Sequence, residues 1–394
     1  GQLAGYGESE TTCCLTFCLK VHIMEMRCDR GRHICLCQDR ILMRGGEIIM
    51  PKQDLLAALR RGMPLTLRQQ IMLTLQLSVP AILAQISSIV MQYIDASMVG
   101  RLGKEASASI GLVSTSTWLM MGLCRALVVG FSVMVAQRIG AGEDSDARNL
   151  TKQALISGLA FGLLLAGIGA AAAGALPVWL HAEAAICGDA TAYFLVFALS
   201  LPAVQLNRLA VGLLQASGNM RTPSILLVVM CALDVVFNLL LIFPTRRWGS
   251  VTIPGAGMGV AGAALGTALA EAVVALVLCV FLLRSPVLGL RRGEKLHLIP
   301  SQLLRAARLG VPVAIEQVVM SGAQVMTTRI IAPLGTVSIA ANSFAVTAEA
   351  LCYMPGYGVQ SAAVTAVGQS IGAKRRDMAV RLGWVSVLLG MCIM

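Results

Sequence analysis

Charge is scarce in this sequence. Only 13% of its 394 residues are Asp, Glu, Lys or Arg, against 57% hydrophobic, too few to cover a soluble domain of this size with solvated side chains. Catalytic signatures are missing too. No His-Glu-x-x-His, nucleophile elbow or paired catalytic acid motif occurs, which argues against an intramembrane enzyme. The small-residue run "GAGMGVAGAALG", Gly255 to Gly266, has no Gly-Lys-Ser/Thr after it and no expected strand before it, so it predicts close helix packing rather than a phosphate loop. Nothing before Leu75 has the apolar core of a secretory signal. Six of the twelve cysteines, Cys13, Cys14, Cys18, Cys28, Cys35 and Cys37, cluster near His33, but without the two matched Cys-x-x-Cys pairs of a zinc site and without helical or strand period. Residues 1–49 are therefore expected to be a dispensable or non-native leader, with Met50 or Met63 as alternative starts, and no metal site is assigned. Cys231 and Cys279 stand singly in apolar runs as small apolar residues.

What is present is apolar length. Segments of about 20 residues, each able to cross a hydrocarbon core of roughly 30 Å, recur at Val79–Val99, Thr117–Ile139, Ala154–Leu176, Ala192–Leu214, Ser224–Phe243, Gly259–Leu283, Val311–Ala332, Ile339–Ile371 and from Met378 onward. They predict an all-α, polytopic membrane protein, broken off at both ends, since the chain opens on Gly1 and its last span is unfinished at Met394. The net charge of +11 is explained by sidedness. With the amino terminus in the cytoplasm, cytoplasmic connections hold Lys52, Arg60, Arg61, Arg68, Arg138, Arg148, Lys152, Arg221, Arg284, Arg291, Arg292, Lys295, Arg305, Arg308, Lys374, Arg375, Arg376 and Arg381. The opposite side has only Arg101, Lys104, Arg246 and Arg247, so no nucleic-acid partner is needed.

"SVPAILAQ" at Ser78–Gln85 aligns with "GVPVAIEQ" at Gly310–Gln317, an offset of 232 residues. The same offset pairs "RLG" at Arg101 with "PLG" at Pro333, and "VAQRIGAG" at Val135 with "VGQSIGAK" at Val367. Six spans separate the copies, so the repeat unit is a six-helix lobe and both lobes enter the membrane in the same sense, as in transporters whose substrate site lies between halves. The expected layout is a leader (1–49), a cytoplasmic segment (50–70), a six-helix lobe (71–284), a basic cytoplasmic linker (285–302) and a second lobe truncated after about three helices (303–394). Pro80, Pro202, Pro312 and Pro355 interrupt backbone bonding in their spans, either absorbed by neighbouring helices or serving as bending positions.

"VPAILAQ", "DASMVGRLG", "VAQRIGAGEDSDAR", "LLQASGNMRTP", "LDVVFNLLLIFP", "GMGVAGAALGTALAE" and "VGQSIGAKRRD", in this order over about Ile71–Met394, resemble the multidrug and toxic compound extrusion (MATE) family. The resemblance implies nine of twelve helices of a bacterial inner-membrane antiporter, monomeric and free of cofactors. It would export amphipathic or cationic small molecules in exchange for protons or sodium.

Asp95 stands out among the polar residues, because a charge in hydrocarbon costs roughly 2.5 to 3.5 kcal/mol on insertion scales and such residues face a cavity or a partner. It lies roughly 7 Å inside the outer end of its span by helical rise. Asp234 and Asn238, four apart on the fifth span, stack on one helix face at similar depth. Two carboxylates and an amide would hold one cation or share protons. In the family resemblance Asp95 takes the place of the first-helix acid, Asp234 and Asn238 the fifth-helix polar pair, and Asn207 the fourth-helix asparagine, although Asn207 is expected to lie lower. Glu316, Gln317 and the repeat mate of Gln317, Gln85, form a second-lobe polar or substrate site, or a buried hydrogen-bonding group; Glu271 is a weaker case of the same kind. Arg125, Arg208 and Arg329 either neutralise a carboxylate or meet substrate, and an Arg125–Asp95 pair would argue against a free cation site. "WLMMG", Met320 and Met326 line an adaptable cavity or simply pack. The offset partner of Asp95 is Thr327, so the acid is confined to the first lobe. The alternatives are a lipid-linked precursor flippase, for which the three arginines would converge on one cavity, and a non-transporting scaffold, with both aspartates facing lipid or locked to arginines.

Overall fold

The computed structural model describes residues 26–28, 35–37, 42–44, 47–49, 55–61, 63–180, 184–248, 251–289, 299–331 and 336–394. The chain divides into Gly1–Met63 and Pro64–Met394. The smaller unit holds four antiparallel strands in sequence order, β1 (Met26–Cys28), β2 (Cys35–Cys37), β3 (Leu42–Arg44) and β4 (Glu47–Ile49), followed by α1 (Leu55–Arg60). Cys28 pairs across from Cys35, and Met43 from Ile48. This corrects the expectation of a segment without strand period: three-residue strands are too short for an alternation to register. Cys13, Cys14, Cys18 and His33 lie outside the described residues.

The larger unit contains α2 (Leu67–Gly100), α3 (Lys104–Gly140), α4 (Asp144–Ala172), the short α5 (Leu176–Trp179), α6 (Ala184–Ala216), α7 (Arg221–Ile242), α8 (Gly259–Leu283), α9 (Pro300–Ile331), α10 (Thr336–Gly372) and α11 (Arg376–Ile393). Each of the nine apolar segments falls on one of the long helices, and α2, α3, α4, α6, α7 and α8 are long and apolar enough to cross a bilayer. The protein is a polytopic all-α membrane protein of two lobes, α2–α8 and α9–α11. The start of α2 is set locally: Gln69 N donates to Thr66 Oγ1 at 3.4 Å and Thr66 N to Gln69 Oε1 at 2.9 Å, a reciprocal cap that satisfies two helix-end donors. Pro80, Pro202, Pro312 and Pro355 all lie inside unbroken helices.

Between α7 and α8 stands a hairpin, β5 (Pro244–Trp248) and β6 (Val251–Ala256), so a strand does precede the small-residue run. The run still forms no phosphate loop. Gly262 meets the backbone of Leu241, and the run serves α7–α8 packing as expected. Within the first lobe α6 packs against α3, α4 and α8, burying Phe131, Leu150, Leu209, Leu213, Val274 and Leu278. In lipid such contacts are held by close packing rather than by exclusion of water.

The repeat is visible in the backbone. After α3, Ala141 N bonds Gln137 O (3.0 Å), Gly142 N bonds Ile139 O (3.1 Å) and Glu143 N bonds Arg138 O (3.0 Å). After α10, Ala373, Lys374 and Arg375 make the same bonds to Gln369, Ile371 and Ser370, at 2.9, 3.0 and 2.9 Å, each 232 positions on. Gly142 has φ 76° and its mate Lys374 φ 58°, the left-handed residue that ends a helix.

Contacts between lobes, α2 with α10 and α3 with both α9 and α10, are also reciprocal. Gly140 abuts Gln369, while Gly372 abuts Gln137, the offset partners exchanged. Two contacts join a residue to its own mate. Gly368 lies so close to Ala136 that a Cβ on it would come within 2.8 Å of the alanine Cβ, and Arg125 lies over Tyr357, 4.2 Å from the ring centroid. Residues that touch their own mates mark the pseudo-twofold axis between the lobes.

Candidate cation site in the first lobe

Past its first turn α7 is apolar except for Asp234 and Asn238, which share the face turned inward; both are 0% exposed. α2 packs against α7 and brings the half-buried Asp95 to that face. Asn238 Nδ2 donates to Asp95 Oδ1 at 2.8 Å and to Asp234 Oδ2 at 3.0 Å, so one amide spends both protons on two carboxyl groups. The shared amide brings the two carboxyl groups close together, and on the neighbouring α8 the Thr267 hydroxyl donates to Ala263 O at 3.2 Å. Gly266 makes this close approach of α8 possible, since a Cβ there would overlap Asn238 Oδ1. Asp234 Oδ1 and Asn238 Oδ1 are buried and accept no hydrogen bond among the described residues.

Two ionised carboxylates at this separation repel and are poorly solvated; a proton between them or a hard cation among the oxygens removes both penalties. The clustered oxygens suit either. The three residues expected together from their depth are thus brought together.

Asn207 is not joined to them by a hydrogen bond. Its Nδ2 donates to Glu271 of α8 and lies 3.5 Å from Met230 Sδ. Met230 precedes Asp234 by one helical turn, so Asn207 lies a layer deeper than the other three, as its depth along the span predicts. Glu271, 7% exposed, is therefore an amide-held buried acid, with the Arg208 charge acting on it. Arg208 Nη2 reaches Met121 Sδ at 3.4 Å.

The residues expected to form a second-lobe group have separate surroundings. Gln317 Nε2 meets Ser321 Oγ at 3.4 Å and its side chain covers Gly122, Gln85 is half-buried, and Glu316 is exposed. No hydrogen bond joins Gln85, Glu316 and Gln317 among the described residues. Arg125 does not pair with Asp95: its Nη2 donates to Gln360 Oε1 at 2.7 Å, across the lobe boundary. The side chain of Arg329 lies outside the described residues. Sequence reasoning passed over Thr267, although a Thr four residues before Glu271 places both on one face of α8.

Two repeat-related lobes of long helices, six of the helices long and apolar enough to cross a bilayer, with a buried acid and amide cluster in the first lobe, have the build of a polytopic transporter. The family model MatE matches residues 80–240 and 312–394, more than half of the chain, and its two matched segments open on Pro80 and Pro312, the repeat mates. The chain belongs to this family, the multidrug and toxic compound extrusion transporters. Among curated relatives, it is 25% identical over 321 residues to the probable multidrug resistance protein NorM of Thermotoga maritima, covering 80% of this chain and 67% of that one. It is likewise 25% identical over 334 residues to the NorM protein of Neisseria meningitidis serogroup B, with 84% and 71% covered. Among solved structures, a MOP superfamily transporter from Pyrococcus furiosus has the same fold at TM-score 0.77 and 22% identity, over 88% of this chain and 73% of that one.

Proposed function

We propose that the protein is a secondary active antiporter of the inner membrane that exports organic cations and other amphipathic drugs in exchange for protons or sodium. The observation that carries this reading is the single amide of Asn238 holding Asp95 and Asp234 together. Its relatives' designation as probable multidrug resistance proteins supports the substrate class. The excess of Lys and Arg on one side supports a cytoplasmic amino terminus.

In this orientation Asp95 lies five residues from the outer end of α2 and Asn238 four from that of α7, so the ion site is served from outside. A cation arriving there cancels the repulsion between the carboxylates and draws α2 and α7 together. Because α2 packs on α7 in its own lobe and on α10 in the other, ion occupancy is transmitted to the lobe boundary. Exchange follows when ion and drug favour opposite arrangements of the lobes. The flippase alternative is not favoured: Arg125 reaches across to α10 while Arg208 is held beside Met121 and Glu271 in the first lobe.

The test is ethidium efflux from cells carrying Asp95→Asn. Loss of pumping is expected, and pumping at the wild-type rate would sink the ion-site reading. Drug uptake into vesicles with proton and sodium gradients imposed separately identifies the coupling ion.

A further inference from the structure

The contact between Arg125 and Tyr357 is unusual in three ways. The two residues are repeat mates, 232 positions apart, so their contact sits on the pseudo-twofold axis between the lobes, where two-lobed transporters place substrate. The guanidinium lies 4.2 Å from the ring centroid and donates to Gln360 Oε1 at 2.7 Å, yet among the described residues it makes no ion pair. A membrane-embedded cation is thus held by an aromatic face and a neutral amide.

The ring is also part of a larger array. Tyr353 packs edge-on against Tyr357, centroids 5.8 Å apart at 76°, and Glu349 stands one further turn along α10, close enough for its charge to act on Tyr353. Glu349, Tyr353 and Tyr357 recur every four residues and so stack along one side of the helix. A carboxylate, two aromatic rings and an amide oxygen in a column are the groups that recognise an organic cation: ring faces attract it without demanding hydrogen bonds, and the acid supplies opposite charge. Gln360 and Glu349 are exposed, and both tyrosines are only partly buried.

We propose that the Glu349–Tyr353–Tyr357–Gln360 column on α10 is a binding site for organic cations whose inner end is occupied by the chain's own Arg125, and that a bound cation displaces this guanidinium. The inference rests on the transport reading above and deepens it. Displacement removes a cross-lobe contact made on the axis itself, so the arrival of cargo loosens the boundary that must open to pass it. The arginine acts as an internal competitor, which a cation replaces on the ring more readily than a neutral compound does.

The test measures equilibrium binding of tetraphenylphosphonium to the purified protein. Tyr357→Leu is expected to weaken binding about tenfold or more, and Tyr357→Phe, which keeps the ring face, to stay within about threefold of wild type. Arg125→Gln is expected to bind about threefold or more tighter, because the competitor is gone. Arg125→Lys, a weaker ring partner, shifts the same way by less and serves if Arg125→Gln does not fold. Unchanged affinity in Tyr357→Leu, or unchanged or weaker affinity in a folded Arg125 variant, overturns the proposal while leaving the antiporter reading intact. A wild-type protein that binds no tetraphenylphosphonium instead overturns the cation-export reading and this site with it.

Discussion

The two lobes share a backbone and differ in what they carry. Asp95 on α2 and Thr327 on α9 are repeat mates, yet Asp95 is held across the lobe by Asn238, whereas Thr327 Oγ1 bonds its own helix at Ala323 O, 2.9 Å away. An equivalent position in the fold does not imply an equivalent site. What sets Asp95 apart is the polar face of α7 and the glycine of α8 behind it.

The sharpest way to break the comparison is to remove each side chain in turn. Asp95→Asn should reduce ion-coupled efflux at least about tenfold, since hydrogen bonds to a charged group are worth about 1.5–3 kcal/mol. Thr327→Asn should leave efflux within about twofold, since the Thr327 hydroxyl bonds its own helix. Comparable losses in vesicle transport would show that the lobes are not specialised as described.

A smaller effect is expected from two glycines. Gly266→Ala drives a methyl into Asn238 and should destabilise the protein by about 1–3 kcal/mol, lowering its melting temperature in detergent. Gly322→Ala, in open space on α9, should instead be neutral or stabilise the helix by up to about 1 kcal/mol. Equal shifts would mean that Gly266 is not what lets α7 and α8 close on the site.

The smallest expected effect lies at the turn both lobes share. Lys374→Gly should stabilise by about 1 kcal/mol, because a side chain in the left-handed region is strained, and Gly142→Ala should destabilise by a similar amount. Thermal melts moving in the same direction would refute a common turn geometry.

Much of this was legible beforehand, for identifiable reasons. Apolar length marks the spans, and the three matches at one offset place the lobes; the recurrence of the same turn bonds after Gly140 and Gly372 shows how literally the offset is carried into the backbone. Asp95, Asp234 and Asn238 were recoverable because rise per residue estimates depth. Rotation was not recoverable. Helices that are apolar all round have no single face that reports their neighbours, so the partner of Asn207 and the partner of Arg125 both came only from packing. The hairpin of Pro244–Trp248 and Val251–Ala256 escaped because a short strand pair between membrane helices looks like any polar connection.

The meeting of Arg125 with Tyr357 has a consequence for how such a molecule arises. In a dimer of identical chains, a residue on the dyad faces its own copy, so an arginine there would confront an arginine and a tyrosine a tyrosine. Opposing an arginine to a tyrosine at that point requires the two copies to have become free to differ, as they are within a single polypeptide. Joining the halves covalently thus did more than fix their stoichiometry: it allowed unlike partners at the one place where symmetry forbids them.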